Sequence, residues 1–411
     1  MLGTMVAMLA VASDPAVAQD ADDEVPPVDV LQVSGLFDEI VVAEIGDAID
    51  RAVEQGSQAL ILQVDSRGAV VPESDVAALL DRVASAEVPV GVWVGPSGAR
   101  LYGTPAQILA VADVTGMAPG SRVGNVGRPI ANDLILGPGL EALRDDTAGL
   151  TDARSLGVFK QRISDEGIAT IVNMVDALDG YTENGVELDT TAETVTDSGV
   201  VQRETIATVV FAKLSLLDEL FHTVASPPVA YLLLLAGLAL LVFEFYTAGV
   251  GVAGVVGAGC AILAAYGLAA LPARGWAVAL LVASMLAFSV DVQVGIPRFW
   301  TGVGIVLTIV GSLWLFEPVA GTSLRPSWLT LLAGIGGIVL TFTVGMPSMT
   351  RTRFATPTIG REWMIGADGV AVTAIDPDGT VRVGEGEWRA RTNRATPIEA
   401  GEALRVAAID G

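Results

Sequence analysis

Histidine occurs once in this 411-residue chain, cysteine once and lysine twice, and each scarcity removes a class of chemistry. With Cys260 alone, neither an intrachain disulfide nor a cysteine-ligated structural zinc site can be assembled. With His222 alone, in Leu217-Asp218-Glu219-Leu220-Phe221-His222 just ahead of a long apolar run, no Ser-His-Asp or Cys-His arrangement has its base. That histidine reads as an ordinary juxtamembrane side chain. Lys160 and Lys213 are the two side-chain amines that could activate a hydroxyl. Basic residues are also few, 23 against 47 acidic ones for a net charge of −24, and residues 19–226 carry 34 acids against 12 bases. Such a balance argues against nucleic acid and against direct adhesion to anionic lipid. No metal or cofactor is expected.

Apolar residues, by contrast, make up 52% of the chain and raise its mean hydropathy to +0.57, too apolar for a soluble protein. Residues 1–18 combine an apolar run with an Ala16-Val17-Ala18 ending, the pattern of a signal peptide or an N-terminal anchor, and 19–27 read as a disordered lead-in. From Val28 short apolar strands alternate with helices, which predicts an α/β domain with mostly parallel strands over 19–200. Pattern alone admits either a doubly wound sheet or a spiral of strand pairs. Val201 to Thr223 is apolar at helical spacing (Ile206, Val209, Val210, Leu214, Leu217, Leu220, Phe221), which predicts a juxtamembrane helix over 201–226. Five candidate spans follow within 227–347, with Glu244 inside the first and small residues Gly254 and Gly257 suited to close helix packing. Five strands in about 50 residues then predict a small β-barrel over 357–411. Its aromatics are few, Trp363 and Trp388 among them, so a protein-interaction or self-assembly role is expected there.

The chain is organised around Gly95 to Pro129, which is poor in bulk and so lets backbone N–H groups approach a ligand. Within it Gly98-Ala99, Met117-Ala118-Pro119-Gly120, Gly124 and Arg128-Pro129-Ile130 resemble the NfeD family. Val64-Asp65-Ser66-Arg67-Gly68-Ala69-Val70 is similar to that family's Leu-Asp-Thr-Pro-Gly-Gly-Leu turn, and the glycines around Trp388 are similar to its C-terminal domain. The resemblance implies a ClpP/crotonase-like serine protease domain, a helical transmembrane block and an OB-fold barrel. It also implies a plasma-membrane location, a flotillin- or stomatin-like membrane partner and a homo-oligomer. The protease-like domain would lie outside the cytoplasm, and with five spans the OB-fold domain would lie inside, next to Arg351, Arg353 and Arg361.

Set against the family, the catalytic positions have changed. Gly103 stands where the family carries its nucleophilic serine, and no lysine occurs between Ile130 and Leu150, where the family's general base falls. Gly68 and Ala69 would supply the oxyanion-type backbone donors. The expected function is a degenerate protease-like membrane scaffold. The alternative is an active serine protease that cleaves apolar segments, using Ser97 or Ser121 with Lys160.

Overall fold

The computed structural model describes residues 25–131, 133–160, 167–183, 186–195, 201–246, 251–294, 298–319, 322–349, 361–392 and 396–409. The signal or anchor at 1–18, Thr196, Arg351 and Arg353 lie outside the described residues. Two compact units separate: 1–234 with 261–275 and 314–327, and the remainder of the chain.

The first unit opens with β1 (Val28–Ser34), α1 (Glu39–Gln55), β2 (Ala59–Asp65), α2 (Glu73–Ala84) and β3 (Val90–Val94). It continues through β4 (Arg100–Tyr102), a 3₁₀ turn at Thr104–Gln107, α3 (Ile108–Val111), β5 (Val114–Met117) and β6 (Arg122–Gly124). Next come α4 (Pro138–Glu141), β7 (Thr147–Gly149), α5 (Leu150–Ser155), α6 (Ile171–Asp176), β8 (Thr182–Glu183) and β9 (Val186–Glu187). Then follow β10 (Thr191–Val195), β11 (Val201–Thr205), β12 (Val209–Ala212) and α7 (Leu216–Val224). The main sheet has the order β12-β1-β2-β3-β5, parallel throughout. Strands β1, β2, β3 and β5 are largely buried on both faces, as parallel strands with helical cover require, whereas the edge strand β12 stays partly exposed. Because successive side chains alternate between faces, Leu60, Leu62, Val92 and Val94 pack towards α1 and α2, whereas Ile61, Trp93 and Val114 pack towards α6.

A second, smaller sheet of order β4-β6-β7 runs alongside. Main strands β3 and β5 are each followed by a strand of this second sheet, and Ser66 after β2 does the same through a parallel bridge to Leu101. That repeat of strand, second-sheet strand and helix is the spiral of a ClpP/crotonase-like domain, which decides between the two α/β arrangements that pattern left open.

One expectation needs correction here. Residues 201–212 are not helical. Val201–Thr205 pairs antiparallel with β10, and Val209–Ala212 adds a parallel edge strand against β1, leaving a helix only over Leu216–Val224. The α/β domain therefore runs past residue 200 to the end of β12.

The apolar helices are α8 (Pro227–Tyr246), α9 (Val252–Ala270), α10 (Gly275–Val294), α11 (Phe299–Leu313) and α12 (Trp328–Leu340). Four stretches, Pro227–Tyr246, Val252–Ala270, Gly275–Gln293 and Trp328–Met349, are long and apolar enough to cross a membrane, and α11 with its 15 residues is shorter. Glu244 Oε2 accepts the Gly254 N–H at 3.0 Å and so satisfies a backbone donor at the start of α9. Gly257 lets α8 and α9 approach, since a Cβ there would stand 2.9 Å from the Leu240 Cβ.

In the second unit, β13 (Asp368–Ala371), β14 (Asp378–Val383), β15 (Gly386–Arg391) and β16 (Ala403–Arg405) form an antiparallel sheet of order β15-β14-β13-β16. Among the described residues four strands stand where five were expected. Strand β13 stops at Ala371 because Val372 and Thr373 both donate to the Thr380 carbonyl, at 2.8 and 3.3 Å, a bulge that bends the chain out of the ladder. Beyond it only the Ile375–Ile398 bridge continues the pairing. Met364, Ile375, Val381 and Val383 form the core.

Candidate functional site

The turns that leave the ends of β2 and β3 meet, because polar backbone at the ends of buried strands must find partners. Ser66 N–H donates to the Arg100 carbonyl at 2.6 Å, Tyr102 N–H to the Ser66 carbonyl at 3.0 Å, and Arg100 N–H to Asp65 Oδ1 at 2.9 Å. This pairing brings Gly68, two residues after Ser66, to the same end as Gly103, one residue after Tyr102. Gly68 has φ +146°, open to glycine alone, and its carbonyl accepts from Phe37 N–H at 2.9 Å. Ala69 pairs with Phe37 and, unlike Gly68, does not adopt a positive φ. Its substitution for glycine is therefore tolerated. Val319 and Thr322, from the connection between α11 and α12, lie against Gly68: a Cβ there would be 3.5 Å from Thr322 Cγ2 and 3.6 Å from Val319 Cγ2.

Gly103 is buried at the start of the turn and helix over 104–111, with φ +75° and ψ −160°. Essentially only glycine occupies that region. Its N–H donates to the Gly124 carbonyl at 3.2 Å and its own carbonyl accepts from Ala106 N–H at 3.0 Å, so the backbone is held on both sides. At the foot of this helix Gln107 is fully buried; its Nε2 donates to the carbonyls of Val126 and Arg128 at 2.9 and 2.7 Å, and its Oε1 accepts from Ile130 N–H at 3.2 Å. Composition offered no reason to single out Gln107; its role follows from three backbone groups of an irregular segment needing partners.

The fallback nucleophiles do not meet a base. Ser97 is exposed on the turn after β3 and hydrogen-bonds to nothing among the described residues. Ser121 is buried, and its hydroxyl donates to the Pro96 carbonyl at 3.1 Å, tying the turn before β6 to the turn after β3. Lys160 sits at the opposite end of β5, where Nζ donates to the Ala112 carbonyl at 2.5 Å and its backbone N–H to Thr115 Oγ1 at 3.0 Å. Desolvation lowers the Lys160 pKa, with Asp113 opposing the shift, but the two candidate serines lie beyond the other end of β5 and cannot use the amine. Arg144 pairs with Glu141 at the surface. Among the described residues no three His, Cys, Asp or Glu side chains cluster to hold a metal. The arrangement offers backbone donors and a helix start, without an assembled nucleophile and base.

Residues 228–346 match the profile of the NfeD integral membrane domain, and residues 361–411 that of the NfeD-like C-terminal, partner-binding domain. The membrane block and the C-terminal domain are thus those of the NfeD family. This NfeD protein is 26% identical over 407 residues to the membrane-bound protease PH1510 of Pyrococcus horikoshii, an alignment that covers 93% of this chain and 91% of the relative. Solved structures similar to it include the 1510-N membrane protease specific for a stomatin homolog from Pyrococcus horikoshii, at 18% identity and TM-score 0.37, covering 48% of this chain and 98% of that one. The ClpP protease catalytic domain from Plasmodium falciparum aligns at 12% identity and TM-score 0.26, covering 32% and 82% of the two chains. The strand order above, rather than these low scores, identifies the fold. The NfeD protein is thus a multi-pass membrane protein that joins a ClpP-like α/β domain to a small antiparallel partner-binding domain.

Proposed function

We propose that this NfeD protein acts as a membrane scaffold whose protease-like domain has lost catalysis, and that it assembles with a stomatin- or flotillin-like membrane protein. The observation that carries the reading is Gly103: the position where the family places its serine has no hydroxyl, and its φ and ψ disfavour one. Lys160, tied to the Ala112 carbonyl at the other end of β5, cannot substitute for the missing base. Removing members of a nucleophile–base pair costs orders of magnitude in rate. The partner-binding description of the family's C-terminal domain supports an assembly role, as does the stomatin specificity of the Pyrococcus protein. The scaffold is multi-pass in the plasma membrane and homo-oligomeric, with the α/β domain outside the cytoplasm and the C-terminal domain inside.

The full-length protein in detergent is to be exposed to a fluorophosphonate probe and to apolar peptides, beside Ser97→Ala and Ser121→Ala variants. No labelling and no cleavage are expected. Labelling lost in one variant identifies that serine as the nucleophile and replaces the scaffold with an active protease.

A further inference from the structure

The single histidine, which the candidate site leaves unused, has surroundings shaped to hold it. His222 lies in the last turn of α7, and its ring reaches back to the turn between β1 and α1. Nδ1 is 2.7 Å from Asp38 Oδ2, and Nε2 is 2.8 Å from the Ser34 carbonyl oxygen. Both partners are acceptors. A neutral imidazole carries one N–H and one lone pair, so it can satisfy one of them and faces the other with a lone pair. Only the imidazolium donates to both.

The receiving turn is fixed independently of the ring. Asp38 is the N-cap of α1, its Oδ1 accepting the Val41 N–H at 2.9 Å, so the oxygen that meets His222 is already oriented. Gly35, at φ +90°, leaves the space: a Cβ there would stand 2.7 Å from Nε2. The two side chains retain only 14% and 8% of their exposure. On its other side α7 is packed against the end of α9, where the Phe221 and Tyr266 ring centroids are 4.8 Å apart and a Cβ at Gly267 would run into the Val224 carbonyl. The titratable groups gathered here are Asp38 and Glu39 of α1, Asp218 and Glu219 in the first turn of α7, and the Tyr266 phenol of α9. None of them is a base, and Asp38 is the one whose charge bears on the ring, favouring its cationic form.

We propose that His222 is a pH-responsive clasp, holding the juxtamembrane helix on the α/β domain in its charged form and loosening that contact when it loses its proton. Burial alone would lower the His222 pKa, but the hydrogen bond and charge of Asp38, with the Ser34 carbonyl, prevail and raise it above the ordinary value. A raised histidine contributes its stabilisation in full below about pH 6.5 and loses it as pH rises through the higher folded-state value. The clasp is therefore closed on the acid side and open on the alkaline side. Because α7 ends at Val224 and α8 starts at Pro227, a change in α7 is delivered directly to the first membrane helix.

A chain with one histidine makes the test direct. The full-length protein, labelled with ¹⁵N-histidine and held in nanodiscs, gives the ring resonances of one residue, whose shifts report protonation. The midpoint is expected above that of free imidazole and is expected to fall in Asp38→Asn, which keeps an oxygen to cap α1. Hydrogen exchange of 216–224 is compared at each pH with His222→Gln, which cannot titrate. Wild type should be the better protected on the acid side, and the difference should vanish above the midpoint. A midpoint at or below the free-imidazole value, or exchange that matches the Gln variant at every pH, overturns the clasp.

Discussion

At Gly103 the backbone is as informative as the missing side chain. A serine written into that position would have to hold φ +75° and ψ −160°, a conformation that costs a non-glycine residue about 1–3 kcal/mol. Gly103→Ser is therefore expected to lower the thermal unfolding midpoint and to remain unlabelled by a fluorophosphonate, whereas labelling at wild-type stability would show that only the hydroxyl had been lost. The glycine and the absence of a nearby lysine were both legible in the sequence, because each is a matter of residue type and registration. The surroundings of His222 were not: Asp38 is 184 residues away, and nothing in a linear pattern reports that a ring will reach a helix cap. Ser121 was legible as a serine but not as a structural one, since its bond to the Pro96 carbonyl depends on two turns meeting in space.

At the scale of elements, periodicity succeeded where one face of a helix met a core. The alternation of apolar strands and helices expected from Val28 is found in the order β1, α1, β2, α2 and β3. It failed over 201–212, where the spacing of Ile206, Val209 and Val210 also fits a strand, and the free edge of β1 supplies ladder partners that local pattern cannot reveal. A second hidden feature is the cap of α11. Buried Asp291 accepts from Arg298 N–H and Thr301 N–H at 2.7 Å and from the Thr301 hydroxyl at 2.8 Å. Asp291→Ala leaves these donors without their acceptor and is expected to cost about 1–2 kcal/mol, with Asp291→Asn costing less. Thermal unfolding in detergent reads the order; an Ala variant as stable as wild type would remove the cap from the account. The C-terminal sheet carries its own core of Met364, Ile375, Val381 and Val383. Residues 361–411 expressed alone should accordingly give a β-type circular dichroism spectrum with a cooperative melt, and a disordered spectrum would show that the sheet depends on the rest of the chain.

For the whole molecule, the number of crossings decides which domains share a compartment, and α11 decides the number. Its 15 residues rise about 22 Å, less than the hydrocarbon thickness of about 30 Å, so length alone leaves four crossings and puts both domains on one side. Its packing favours a crossing. Gly304 lies against Phe288 and Gly311 against Leu281, so α11 runs antiparallel to α10 along a stripe of small residues. Gly304, Thr308 and Gly311 share the buried face of α11, which meets protein on that side. On the proposed count of five crossings, the acidic α/β domain and a C-terminal segment bearing Arg351, Arg353 and Arg361 would lie on opposite sides, the distribution that the positive-inside rule favours. A phosphatase reporter inserted at Thr196 should be active outside the cytoplasm, while a fluorescent reporter fused after Gly411 should fold inside it. Both reporters on the same side would reduce the count to four, make α11 a helix that does not span, and place the partner-binding domain in the compartment of the protease-like domain.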